Sequence, residues 1–264
     1  MTDDNSAFDA GPASRPTFII GCARSGTTLL RMMLDSHPHI SAGAETKFLP
    51  DMARMVERWN LAEKFNLSRG DVVGRMRDFY GSIQTDYMRS RGKVRWVEKS
   101  PVYTLHLDLI EQMYPDAQYI HLVRDARDVV ASTRDRWGWR AALGTALRKW
   151  RLYVTTARAF GAKVGPARYL ELRYEDLVAD PEGKMRAVLE FLGEPWDPAV
   201  LEYNSADQGF DDFHLALQKQ RRQQSGDKAL IYRSRARGGK GLNPLLRLAT
   251  FLGSRKVMRE VGYA

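Results

Sequence analysis

The chain has 264 residues, 44% of them hydrophobic, enough to bury a substantial core and better suited to one large α/β domain than to two small ones. A single cysteine, Cys22, excludes an internal disulfide and any multi-cysteine metal knot; it reads as a packing residue rather than a nucleophile and fits a reducing, cytoplasmic setting. The net charge of +9 is concentrated, since residues 217–241 carry eight basic residues against one acid, a net of +7, which argues against a surface built to coat nucleic acid and for a local anion site.

Residues 1–16 are polar, acidic and rich in small side chains, with neither a basic n-region nor an apolar h-region, so a disordered leader is expected before a single domain over 17–264. Nothing later approaches the roughly 18 apolar residues of a bilayer span, and a soluble chain without a transmembrane segment is expected. Residues 17–21 form a short β-rich run. Residues 27–36 follow with Leu30, Met33 and Leu34 at helical spacing, before a His-Pro pair stops them. Residues 51–59 and 71–88 read as helices, 94–97 as a strand entering Glu-Lys-Ser-Pro, 118–123 as the clearest later strand and 126–134 as the helix after it. A long helix is expected over 141–160, with Leu143, Ala146, Leu147 and Trp150 as its apolar stripe. Residues 168–174 alternate like a strand. The helix from Pro181 then buries Met185, Val188, Leu189 and Leu192 and stops at Gly193. Strands separated by helices predict a P-loop-like three-layer α/β/α fold with a central parallel sheet, whose ligands sit at the C-terminal strand ends.

Gly21 and Gly26 have the spacing of a phosphate-binding GxxxxGK[ST] loop, and Thr28 fills the hydroxyl position, but Thr27 stands where the lysine belongs. Backbone N–H groups at a helix N-terminus still attract an anion there, and Arg24 supplies the cation from inside the loop. A guanidinium fork contributes about 1.5–3 kcal/mol per charge-assisted bond, so the site need not depend on magnesium. A second cationic turn holds Arg124, Arg127 and Ser132, eight residues after Arg124. It reads as a grip on a second phosphate, against the plainer alternative of an Arg124–Asp128 surface pair. Two anion sites at adjacent strand ends describe one nucleotide with separated phosphates.

At these residues the sequence resembles the sulfotransferases that use 3′-phosphoadenosine 5′-phosphosulfate (PAPS) and release adenosine 3′,5′-bisphosphate (PAP). The resemblance implies that Arg24, Ser25, Gly26, Thr27 and Thr28 hold the 5′-phosphosulfate and that Arg124 and Ser132 hold the 3′-phosphate. It is closer to the tyrosylprotein sulfotransferase branch over roughly residues 16–201, which implies Glu45, 21 residues beyond Arg24, as general base. It further implies Lys99, opening a Lys-x-Pro segment, as the catalytic lysine and Tyr174 as a nucleotide contact. The basic segment 217–241, with Arg233, Arg235 and Arg237, would act as a lid over the nucleotide. Many cytosolic relatives place a histidine base two residues after that lysine; here the position is Pro101, which leaves Glu45 as the candidate. The implied activity is transfer of a sulfuryl group to a hydroxyl acceptor, whether tyrosyl, glycan, glycolipid or small molecule.

Other readings of single residues are plainer. Glu45 alone is an ion-pair partner for Lys47. The five histidines show no zinc-binding spacing; His37 reads as capping or packing and His121 as core, and no metal is expected at the site. Trp137, Trp139, Trp150 and Tyr153 read as core, with one or two able to stack on a flat acceptor at a cleft edge. Two rival functions are a P-loop kinase or NTPase, disfavoured by Thr27, and a non-enzymatic binder of nucleic acid or anionic membrane through residues 219–240.

Overall fold

The computed structural model describes residues 15–58, 60–203 and 241–263. Most of the leader and nearly all of the basic segment, including Arg233, Arg235 and Arg237, therefore lie outside the described residues.

Strand β1 (Thr17–Ile20) is buried along its whole length, as a central parallel strand covered on both faces must be. Its neighbours are β3 (Arg95–Lys99) and β4 (Gln118–Val123), flanked by the two-residue β2 (Ile40–Ser41) and by β5 (Tyr169–Arg173). The order is β2-β3-β1-β4-β5 and every pairing is parallel. Alternation along β1 splits the core. Ile19 packs with Leu30, Met33, Leu122, Met185 and Leu189 on one face, while Phe18 and Ile20 pack with Tyr80, Trp96, Tyr119 and Phe160 on the other.

The first layer comes from α1 (Thr27–Asp35), α8 (Tyr174–Ala179) and α9 (Pro181–Leu192), the last starting at an Asp180 cap and ending on Gly193 at φ 72°. The short α2 (Leu49–Ala53) and α3 (Leu61–Lys64) lead into the second layer, which contains α4 (Arg69–Ser90), α5 (Leu107–Met113) and α7 (Trp150–Val164). A reciprocal Ser68–Asp71 capping box starts α4. Helix α6 (Ala126–Gly144) leaves β4, and α10 (Pro244–Glu260) packs on it through Leu246 and Ala249, against Val130, Ala142 and Ala146.

Several expected boundaries move. The strand expected at 94–97 runs to Lys99, because β1 continues to pair with it as far as Ile19 opposite Lys99. The helix expected over 51–59 is α2 followed by a π-helical turn, Arg54–Arg58. The run expected over 141–160 is helical throughout but is not uniformly α: α6, broken at Gly138, reaches Gly144, a π-helical turn covers Thr145–Lys149 and α7 follows. Leu147 does not join the apolar stripe: in the wider π turn it faces outward and is largely exposed, whereas Ala146 and Trp150 are buried.

Candidate functional site

The loop expected to hold an anion joins β1 to α1. Gly21 sits at φ 140° and its N–H donates to Thr104 Oγ1 at 2.9 Å; a Cβ there would lie 2.5 Å from the Leu122 carbonyl oxygen. Gly26, the residue before α1, sits at φ 94°, and a Cβ on it would meet the Tyr174 ring at 2.3 Å. Both positions thus exclude any side chain. Ser25 is buried with its Oγ lacking a hydrogen-bond partner among the described residues, and Thr27 and Thr28 open the helix behind it. An unsatisfied buried hydroxyl beside a helix N-terminus fits an anion with acceptor oxygens.

The two arginine turns converge. Arg24 Nε donates to Ser132 Oγ at 3.0 Å, and Arg124 Nη1 donates to the Arg24 carbonyl oxygen at 3.3 Å. The Arg124 guanidinium lies 4.4 Å from the centroid of the Tyr174 ring, and its own carbonyl accepts from Trp150 Nε1 at 2.9 Å. Residues 24, 124, 132 and 174 therefore meet at the ends of β1 and β4 although up to 150 positions separate them. Burial and the neighbouring charges of Arg136 and Arg124 lower the pKa of Arg24, as expected where cations gather.

Two details differ from expectation. Arg127 turns onto Asp125, with Nη2 to Oδ2 at 2.6 Å, because Asp125 caps α6 and holds that guanidinium beside it. Arg124 does lie 3.8 Å from Asp128, so the plainer pairing coexists with its place in the cluster.

Glu45 and Lys99 meet at the end of β3. Lys99 Nζ bonds Glu45 Oε1, while Lys47 approaches Oε2 at 3.9 Å from solvent. Lys99 is 3% exposed and Glu45 27%. Burial lowers the Lys99 pKa, and the Glu45 charge offsets part of that effect. Beneath them Glu98 is fully enclosed, accepting from Ser100 Oγ at 2.7 Å and Gln84 Nε2 at 2.8 Å, and burial raises its pKa. Sequence reasoning missed Thr104, Glu98 and the bond from Trp150 to the Arg124 carbonyl, which arise from contacts that no local spacing encodes.

Of the aromatics expected in the core, Trp150 and Tyr153 are buried, but Trp137 and Trp139 stand out beside the Gly138 break, half exposed. The Arg24 guanidinium lies 5.9 Å from the Trp137 ring centroid. Cys22 is buried, and burial pushes its thiol up to about 12, as befits a packing residue. His121 lies in the core with Nδ1 2.6 Å from Tyr169 OH. His37 is enclosed as well. Its Nε2 meets the Pro195 carbonyl at 2.9 Å and its Nδ1 accepts from the His39 N–H at 3.1 Å. These contacts bring His37 and His39 beside Glu194, a grouping that sequence spacing hides, but Arg95 already holds Glu194 at 2.7 Å.

A sulfotransferase family model matches residues 16–198. The chain belongs to the sulfotransferase family. It is 31% identical to protein-tyrosine sulfotransferase A of Caenorhabditis elegans over 196 residues, 70% of this chain and 52% of that one. With protein-tyrosine sulfotransferase 1 of Danio rerio the identity is 32%, over 70% of this chain and 55% of the relative. The chain spans about half the length of the curated relatives it matches. Among solved structures, it is similar to the sulfotransferase domain of the Synechococcus PCC 7002 olefin synthase, with a TM-score of 0.63, 26% identity and coverage of 92% of this chain and 94% of that one. A mouse sulfotransferase complexed with PAP shares the fold at a TM-score of 0.57 and 14% identity, covering 97% of this chain and 88% of the other.

Proposed function

We propose that this protein transfers the sulfuryl group of PAPS to a hydroxyl acceptor and releases PAP. The observation that carries the reading is the meeting of the two arginine turns, with Arg24 bonded to Ser132 and Arg124 against Tyr174, beside a loop whose two positive-φ glycines admit no side chain. PAPS would supply the sulfuryl group and carry phosphate at both ends of one nucleoside. The loop from Ser25 to Thr28 and Arg24 would hold the phosphosulfate end, while Arg124 and Ser132 would hold the 3′-phosphate.

Glu45 is the general base in this reading. Its Oε1 is engaged by Lys99, leaving Oε2 to accept the acceptor's proton, a role that typically contributes 10²–10⁴-fold. Lys99 and Arg24 would stabilise negative charge growing on the departing phosphate, the electrostatic part of such catalysis. Buried Lys99 is preorganised for this because its ammonium is held by Glu45 rather than by water. The relatives are named for protein tyrosine, so a tyrosyl peptide is the first acceptor to assay, alongside sugar and small-molecule hydroxyls. The basic segment 217–241 is proposed as a cover over the nucleotide, and the cytoplasm as its setting.

Thermal-shift measurements test donor binding. PAP without magnesium should raise the melting temperature, by the equivalent of about 2.7 kcal/mol at a hundred times its Kd. A shift obtained only with ATP and magnesium would overturn the assignment. Glu45→Gln should retain the PAP shift and lose about 10²–10⁴-fold in transfer; parent-level turnover would remove Glu45 from the chemistry.

A further inference from the structure

Helix α10 is packed with its small residues inward. Ala249, Thr250, Gly253 and Ser254 face the body, Ser254 Oγ donates to the Ala146 carbonyl at 3.3 Å, and a Cβ on Gly253 would lie 2.3 Å from that same oxygen. Leu246, Val257 and Met258 are buried with them, but a second set of large apolar side chains faces out. Leu245, Leu248 and Phe251 are at least half exposed, Leu252 is 68% exposed, and Leu147 is exposed on the π-helical turn that α10 crosses. An ordinary surface helix buries such residues and exposes polar ones.

The charge on this face is one-sided. Residues 145–151 hold Arg148, Lys149 and Arg151 and no Asp or Glu, and residues 244–259 hold four basic residues and none, whereas Arg158, Lys163 and Arg168 farther along pair with Glu171, Asp108 and Glu111. Positions 245, 248, 252, 255 and 259 form one stripe at alternating spacings of three and four, reading Leu, Leu, Leu, Arg, Arg. Arg255 also covers the Phe251 ring at 4.7 Å.

We propose that the outward face of α10 and the adjoining Thr145–Lys149 turn dock this protein on an anionic lipid bilayer, with the leucines entering the headgroup boundary and the cations meeting lipid phosphate and carboxylate. Charge complementarity selects this occupant. A second copy would set cations against cations. Residues 204–240 of this chain hold eight basic residues against four acids and would do the same. Nucleic acid would satisfy the arginines but leave the leucines facing phosphate and water, whereas a bilayer surface takes both.

The test is co-sedimentation of the full chain with vesicles of phosphatidylcholine alone and with about 30% phosphatidylserine added. The parent should sediment with the anionic vesicles and not with the neutral ones. Leu248→Ser with Leu252→Ser should weaken that binding about tenfold or more. Arg255→Gln with Arg259→Gln should weaken it about 25-fold, about fivefold for each cation. Both doubles alter exposed positions only, and melting curves should match the parent's. No binding by the parent, equal binding to neutral vesicles, or parent-level binding by the leucine double would each overturn the proposal. The last result would place membrane affinity elsewhere, for instance in the 217–241 segment. Stronger binding to a duplex oligonucleotide, kept by the leucine double, would overturn it also.

Discussion

Arg24 occupies a backbone angle that its own side chain disfavours. At φ 76° it lies in the left-handed region, where a side chain other than glycine costs about 1–3 kcal/mol. The loop tolerates that strain because it aims the guanidinium at Ser132, where the 3′-phosphate and phosphosulfate sites are proposed to meet. Arg24→Gly therefore separates stability from binding. Relief of the strain should keep stability within about 1 kcal/mol of the parent, measured by urea unfolding. PAP affinity should fall about 10–100-fold, the loss of one or two charge-assisted bonds, measured by calorimetry. A parallel collapse of stability would show instead that Arg24 holds the loop together. Gly26→Ala has the opposite balance. Its new methyl would push Tyr174 off Arg124 at a left-handed position, so it should cost about 2–4 kcal/mol in unfolding as well as PAP affinity.

At the scale of elements, the helix after β4 and the C-terminal helix depend on each other. The backbone of α10 approaches the π-helical turn so closely at Gly253 that a Cβ would stand 2.7 Å from Leu147 Cα. Gly253→Val should therefore pry α10 from the Thr145–Lys149 turn at a cost of about 1–3 kcal/mol, visible as a lower urea midpoint. The α10 residues that cluster with Cys22 of the glycine loop are Val257 and Met258, a turn beyond Gly253, so PAP binding per folded molecule should change little; a large loss would mean that α10 also positions Arg124 through Trp150. The same packing accounts for the π turn inside the helical run over 141–160. The π turn accommodates the crossing, and Leu147 is rotated outward as a result.

For the whole molecule, buried titrating groups set opposite edges to the pH range of stability. Burial lowers the His37 pKa below its ordinary 6.5, so the native ring stays neutral while the unfolded chain takes up a proton. The unfolded state then binds more protons, and stability falls as pH drops below about 6.5. At the alkaline edge, the unfolded Cys22 thiol ionises around 9.0 while the native thiol holds its proton to about 12. Here the native state binds more protons, and stability falls as pH rises through that interval. Melting temperatures across pH should describe a plateau between these edges. Cys22→Ala should flatten the alkaline slope, and an unchanged slope would assign it to the buried tyrosines.

Much of this was legible from residues alone, because local chemistry repeats locally. Strand 118–123 and the Pro181–Leu192 helix match their expectations, as does the strand, glycine turn and helix order around Gly21 and Gly26, since period, caps and glycine spacing are properties of neighbouring residues. The pairing of Arg24 with Ser132, the enclosure of Lys99 against Glu45 and the grouping of His37 with Glu194 were decided only when the parallel sheet brought distant strand ends together. So was the fate of the aromatics: Trp150 finds a carbonyl for its N–H and is buried, while the Gly138 break turns Trp137 and Trp139 outward. Composition can assign a residue to the apolar class, but whether it enters the core depends on which other surface the chain has already used to fill the space.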